Sequence, residues 1–193
     1  MRLWLKKNNM ARTPSNMIPL NSKAPSFTLL DLVSGETKSL SELQGPNGTF
    51  ILFICNHCPF VVHVIDKLVE LSNEYQAKGI NFIAINSNDV DNYPDDAPDK
   101  MTLFAKKHNF DFPYLFDESQ KIAKAYDAAC TPDFYLYNSS LELAYRGQLD
   151  ASRPDNGAPI DGKDLIEAFE NLLSGNAPLE NQIPSLGCNI KWK

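Results

Sequence analysis

The chain has 193 residues, 43% of them hydrophobic and 22% charged, and a formal net charge of −6. That length suits one domain able to bury roughly 70% of its unfolded surface. The negative balance disfavours nucleic acid and anionic membrane surfaces as partners, and no apolar run approaches the length of a spanning helix.

Residues 1–12 carry Arg2, Lys6, Lys7 and Arg12 but no apolar h-region, so they do not read as a signal peptide. Met10 is a candidate start, with residues 1–9 an upstream extension. Residues 1–17 are expected to be a disordered or extended segment outside the fold. A domain over 18–175 then begins with the short strand Ala24–Leu30. The run Thr37–Leu40 closes a hairpin with it. Phe50–Ile54 is apolar throughout rather than alternating, the mark of a strand buried on both faces. Val61, Val62, Ile65, Leu68, Val69, Leu71 and Tyr75 recur at helical spacing up to Gln76, and Gly79 supplies the C-terminal stop. Ile80–Asn86 is a second central strand. Asn88–Pro98 reads as a solvated acidic loop, because it lacks the glycine and terminal glutamate of a calcium loop. Helices are expected at Lys100–His108 and Glu118–Tyr126, with the short strand Phe112–Phe116 between them. Phe134–Tyr137 and Glu142–Arg146 bracket Asn138-Ser139-Ser140 as an antiparallel hairpin. Lys163–Leu173 is a last helix, and 176–193 is a tail without clear period, expected to pack on the domain. The alternation predicts an α/β fold with a mixed central sheet, helices on both faces and an N-terminal hairpin extension.

Cys55-Asn56-His57-Cys58-Pro59 joins the first buried strand to the long helix. Two thiols three residues apart at a helix start can close a small disulfide ring. The free N–H groups and dipole of the helix favour a thiolate there. Helix-terminal geometry predicts that Cys55 is the exposed, attacking thiol and that Cys58 resolves the mixed disulfide. His57, when protonated, would lower the Cys55 pKa. Zinc normally takes four ligands in two close pairs, and no second Cys-x-x-Cys exists. No metal and no cofactor is therefore expected. A zinc site of Cys55, Cys58 and Cys130 or a histidine remains the minority alternative. Four cysteines without a secretory signal suggest thiols in a reducing, cytoplasmic setting.

With Thr131-Pro132 placed just before the second hairpin, the Cys-x-x-Cys resembles the thioredoxin superfamily. The Ala24-Pro25-Ser26-Phe27-Thr28-Leu29 opening is similar to its redoxin branch, the alkyl hydroperoxide reductase and thiol-specific antioxidant proteins. Within that branch the peroxiredoxin-like group is nearest. The matching pieces are Cys55–Phe60, Asn86–Asp89, Cys130–Asp133, Tyr145–Gly147 and Gly187–Trp192. The resemblance implies a thioredoxin-like fold and a cis Thr131-Pro132 bond facing the dithiol. It also implies a Thr131 backbone free to pair with an extended substrate. Two departures stand out. Cys55 occupies the Thr position of peroxiredoxins, and Ile51 that of their upstream proline. Thr49 stands where thioredoxins keep a buried acid.

The expected function is thiol–disulfide exchange, with Cys55, Cys58, His57, Thr131 and Pro132 as site residues and Cys130 a candidate third redox thiol. The expected partners are a protein or small-molecule disulfide, or a hydroperoxide, and a cellular dithiol reductant. One alternative is an antioxidant thiol peroxidase with Cys58 as the peroxidatic cysteine. Another is a redox-silent binding module. Cys130 is by default a small buried residue, Cys188 an idle or structural thiol in the tail, and Arg146 an exposed strand arginine. His63 and His108 are expected to be partly exposed.

Overall fold

The computed structural model describes residues 12–193; residues 1–11, with the candidate start at Met10, lie outside the described residues. In chain order the elements are β1 (Arg12–Pro14), β2 (Thr28–Asp31), β3 (Thr37–Ser39), α1 (Leu40–Leu43), β4 (Gly48–Phe53), α2 (Pro59–Gln76), β5 (Ile80–Asn86), α3 (Pro98–Lys107), β6 (Tyr114–Phe116), α4 (Lys121–Ala125), β7 (Cys130–Thr131), β8 (Asp133–Asn138), β9 (Leu143–Tyr145), α5 (Lys163–Leu173) and β10 (Leu186–Asn189). A seven-stranded mixed sheet runs β3-β2-β6-β5-β4-β8-β9, and a second, three-stranded sheet runs β1-β10-β7.

β4 explains the layered build. Its side chains alternate between two cores, which is why the strand is apolar at every position. Phe50 and Leu52 enter the core shared with α2, α3 and α5, while Ile51 and Phe53 enter the core beneath α4 and α1. β4 pairs parallel with β5 and antiparallel with β8, so it is central and its C-terminal end points at the loop that opens α2. α2 buries Val61, Val64, Ile65, Leu68, Leu71 and Tyr75 along one stripe. It gives way to Gly79, whose φ of +83° favours a residue without Cβ. The helix expected at Glu118–Tyr126 is shorter. Gln120 adopts a left-handed conformation, and the buried Asp117 accepts the N–H groups of Ile122 and Ala123, so helical geometry starts only at Lys121. No helix among the described residues is long and apolar enough to cross a membrane.

Two expectations are corrected, one at the N-terminal segment and one at Arg146. The segment from Arg12 is extended but built into the fold. β1 pairs antiparallel with β10, and the buried Ser15 donates to Asp133 Oδ1 at 2.7 Å. Arg146 is fully buried rather than exposed. Its guanidinium forks onto Asp133 at 2.8 and 3.1 Å and lies 3.8 Å from the centre of the Tyr135 ring, so the charge is paired, hydrogen-bonded and stacked. Its Nε donates to the Asn16 carbonyl, which ties the N-terminal segment to the same cluster.

Candidate functional site

Pro59 occupies the first helical position of α2, where its missing N–H and fixed φ are tolerated. The helix therefore begins after Cys58, which is its N-cap, and Cys55 lies in the turn before it. The Cys58 carbonyl accepts the N–H groups of Val61 and Val62 at 2.9 and 3.0 Å. Pro59 is the sequence signal for this offset, which puts the second cysteine, rather than the first, at the helix N-terminus.

Thr131-Pro132 is cis and lies against both thiols. Cys55 Sγ is 3.3 Å from Thr131 Oγ1, and Cys58 Sγ is 3.1 Å from the Thr131 carbonyl oxygen. Cys188 Sγ lies 2.7 Å from Cys58 Sγ, and all four cysteines are free thiols. Cys130 is buried, with its sulfur turned toward Ser15 Oγ and the Pro132 carbonyl rather than the dithiol, and burial raises its pKa.

The electrostatics reverse the expected order of the two sulfurs. Cys55 is 1% exposed and Cys58 fully buried, so neither is the exposed thiol that helix geometry suggested for Cys55. Burial, its hydrogen bond with Cys58 and the nearby Asp96 carboxylate push the Cys55 thiol up. The Cys58 thiol is pulled down, first by its hydrogen-bond contact with Cys188 and then by that with Cys55, against the raising effect of its burial. The N–H groups of Val61 and Cys188 act the same way. Cys58 Sγ itself donates to the Thr131 carbonyl oxygen and toward Cys188 Sγ, so the three sulfurs and Thr131 share one hydrogen-bonded cluster. Cys188 is raised for the reciprocal reason, its hydrogen bond to Cys58, with burial second.

The acidic loop is corrected as well. Asp96 is fully buried and Asp89 nearly so. Asp96 Oδ1 accepts the Asn56 N–H at 2.7 Å, and Oδ2 accepts the Asn88 amide at 2.7 Å. His57 Nδ1 sits 2.8 Å from the same Oδ2, and its ring stacks on Tyr93 at 5.8 Å with planes 8° apart. Asn56 is held further by the Asp95 carbonyl and the Tyr114 hydroxyl. The loop is thus a clamp over the Cys55–Cys58 turn, made possible because each oxygen of the buried carboxylate accepts a hydrogen bond and the His57 ring lies in ion-pair range. The His57 pKa is raised, first by the hydrogen bond with Asp96, against a lowering by burial.

Cys55, His57 and Asp96 bring three ligand atoms within 4.8 Å of one another. The donor set differs from the zinc set considered above, since Cys58 and Cys130 lie outside it, and both Asp96 oxygens are already engaged by protein donors. His63 and His108 are half-buried on the helices.

The tail crosses the site. β10 pairs antiparallel with β7, Cys188 opposite Thr131 and Asn189 opposite Cys130. The Thr131 backbone edge, expected to be free for substrate, is therefore taken by the chain's own C-terminal strand. Asp96, Tyr93 and Cys188 are the members of the site that the motifs did not assign. Their signals were the prolines Pro94 and Pro98 flanking a stiff acidic turn, and the Gly187-Cys188 pair in the tail.

A model of the AhpC/TSA family matches residues 20–149. The thiol-disulfide oxidoreductase ResA of Halalkalibacterium halodurans is 29% identical over 123 residues, 63% of this chain and 64% of that protein. The chain thus spans just under two thirds of that curated relative's length. An uncharacterized conserved protein from Geobacillus kaustophilus is 50% identical, with a TM-score of 0.93 over 96% of this chain and 98% of that one. The thioredoxin domain of a thiol-disulfide oxidoreductase from Bacteroides vulgatus superimposes with a TM-score of 0.61 at 14% identity, over 79% of this chain and 99% of that domain. The fold is thioredoxin-like.

Proposed function

The chain belongs to the AhpC/TSA family, and from that membership we propose that it is a thiol–disulfide oxidoreductase whose redox centre is the Cys55–Cys58 dithiol. The observation that carries this reading is the seat of both sulfurs on one residue of the cis-proline loop, 3.3 Å from the Thr131 hydroxyl and 3.1 Å from its carbonyl. In this reading Cys58 is the more acidic sulfur of the pair. Its contact with Cys55 gives the proton a short path between the two sulfurs, and a protonated His57 beside the turn favours charge on Cys58. The His57 side chain is 28% exposed, and a ring nitrogen of it lies within 4.8 Å of the Cys55 sulfur, so in this reading the disulfide approaches past His57 to Cys55.

Cys55 then attacks one sulfur of the substrate disulfide. A Cys55–substrate bond forms and the other substrate sulfur leaves as a thiolate. Cys58 attacks Cys55 Sγ, closes the Cys55–Cys58 disulfide and releases the second substrate thiolate. The substrate gains two electrons, and a cellular dithiol in a reducing, cytoplasmic setting returns them. A redox titration against glutathione with mass-mapped disulfides tests this. A reversible Cys55–Cys58 bridge is expected; a pair that does not cycle leaves a redox-silent binding module.

A second reading is supported by the dry, low-pKa position of Cys58. A sulfur that is fully buried and has a lowered pKa suits a small oxidant better than a protein disulfide. In a thiol peroxidase, Cys58 would take the oxygen of a hydroperoxide as sulfenic acid, and a neighbouring thiol would resolve it with loss of water. Single Cys→Ser variants treated with hydrogen peroxide separate the readings by which cysteine is oxidised first.

A further inference from the structure

The Cys58 sulfur has two thiol neighbours, and one of them arrives from the far end of the chain. We propose that Cys188 is a third redox thiol of this site, presented on β10 as an internal substrate strand, and that it forms an alternative disulfide with Cys58. The inference deepens the dithiol reading and rests on it.

Three observations carry it. First, Cys188 Sγ is 2.7 Å from Cys58 Sγ, inside ordinary non-bonded sulfur contact and not far from the roughly 2.05 Å of a disulfide. Second, β10 lies antiparallel on β7 with Cys188 opposite Thr131, which is the way an extended peptide adds to an open strand edge. Third, the approach is built. A Cβ on Gly187 would fall 2.1 Å from the Thr131 carbonyl oxygen, so only glycine lets this strand lie so close to the cis-proline loop. The strand is held on its far side by β1, and its end is tied down where Ile190 donates to the Ala129 carbonyl and Lys191 to Asn88.

The step is redox-neutral thiol–disulfide exchange. Starting from the Cys55–Cys58 disulfide, the Cys188 sulfur attacks Cys58 Sγ. The Cys58–Cys188 bond forms, the Cys55–Cys58 bond breaks, and its electron pair stays on Cys55, which takes up the proton Cys188 gives up. Oxidation then resides on a buried pair in the fold, and Cys55 is free to attack again at the open edge. With hydrogen peroxide as oxidant, Cys58 becomes a sulfenic acid with release of hydroxide, and Cys188 displaces that oxygen as water.

The experiment maps disulfides after an acid quench. Wild type is equilibrated with graded ratios of oxidised to reduced glutathione, and Cys55→Ser, Cys188→Ser and the double variant are treated with hydrogen peroxide. Both Cys55–Cys58 and Cys58–Cys188 bridges are expected in wild type, and Cys58–Cys188 in Cys55→Ser. The double variant should instead retain the Cys58 sulfenic acid at least about tenfold longer. The proposal is overturned if Cys55→Ser behaves as the double variant does, or does not react, and wild type shows no Cys58–Cys188 peptide. The wild-type map needs no substitution, so a folding defect in a variant does not rescue or sink the idea. The dithiol reading fails separately, if Cys188→Ser and wild type form no Cys55–Cys58 bridge with glutathione.

Discussion

His57 Nδ1 lies 2.8 Å from Oδ2 of the fully buried Asp96, so the histidine between the two site cysteines answers to a carboxylate from a distant loop before it answers to either sulfur. Asp96 is the first cause of the raised His57 pKa, and burial opposes it. Replacing Asp96 with Asn should therefore drop that pKa below its wild-type value. For a group whose folded pKa is raised, the stabilisation is complete below the unfolded pKa of about 6.5 and is lost as pH rises through the folded value. Wild-type stability should fall across that window, and Asp96→Asn should flatten the fall. The variant should also lose about 1–3 kcal/mol, because the Asn56 and Asn88 donors keep only one good acceptor. Proton NMR titration of the His57 ring decides the first point: an unchanged midpoint in Asp96→Asn refutes the pairing.

Cys58 should be the thiolate of the reduced protein. Ultraviolet thiolate absorbance at neutral pH is expected to survive in Cys55→Ser and to vanish in Cys58→Ser. Because the Cys188 thiol is the largest cause of the depressed Cys58 pKa, Cys188→Ala should move the titration midpoint upward from its wild-type position. Absorbance that follows Cys55 instead would restore the order expected from the motif alone.

The central sheet, α2, α5 and both hairpins were legible because their cause is local. The unbroken apolar run at Phe50–Ile54 states that both faces are covered, and the spacing from Val61 to Tyr75 states one buried stripe. The dithiol and the cis Thr131-Pro132 loop were legible as motifs. What the sequence could not show is pairing over long separations. Arg146 looks like an exposed strand arginine until Asp133 and Tyr135 are seen around it. Asp96 looks solvated until the Asn56 N–H and the Asn88 amide are seen facing it. Cys188 is 130 residues from Cys58, and no periodicity connects a tail strand to a helix N-cap.

The Arg146–Asp133 pair gives a stability test well apart from redox chemistry. Both side chains are fully buried, and Ser15 and the Ala129 N–H also use the Asp133 carboxylate. Asp133→Ala strands a buried guanidinium, and loss of one partner from a buried pair costs about 3–5 kcal/mol. Urea unfolding should show a drop of that order. Arg146→Lys should lose part of it, since an ammonium cannot fork onto both carboxylate oxygens or stack flat on Tyr135. A midpoint unchanged in Asp133→Ala would mean that the pair is not holding the N-terminal segment to the sheet.

Gly187→Ala should uncouple the tail from the site. The added methyl would lie 2.1 Å from the Thr131 carbonyl oxygen and 2.5 Å from its carbon, both backbone atoms that cannot rotate aside. β10 must then move off β7, and overpacking of this kind costs about 1–3 kcal/mol. Moving β10 also withdraws the Cys188 thiol and its N–H from Cys58. Three readouts should change together: the unfolding midpoint falls, Cys188 alkylates faster, and the Cys58 titration midpoint rises. The combination matters because simple destabilisation would expose every buried cysteine. Cys130 lies on β7 itself, which stays in place, with its sulfur turned toward Ser15, so its alkylation rate serves as the internal control. Faster modification of Cys188 with Cys130 unchanged would mark local detachment of the strand. Equal acceleration of both, with the Cys58 titration unmoved, would mean that Gly187 matters for packing alone and that β10 does not set the acidity of the site.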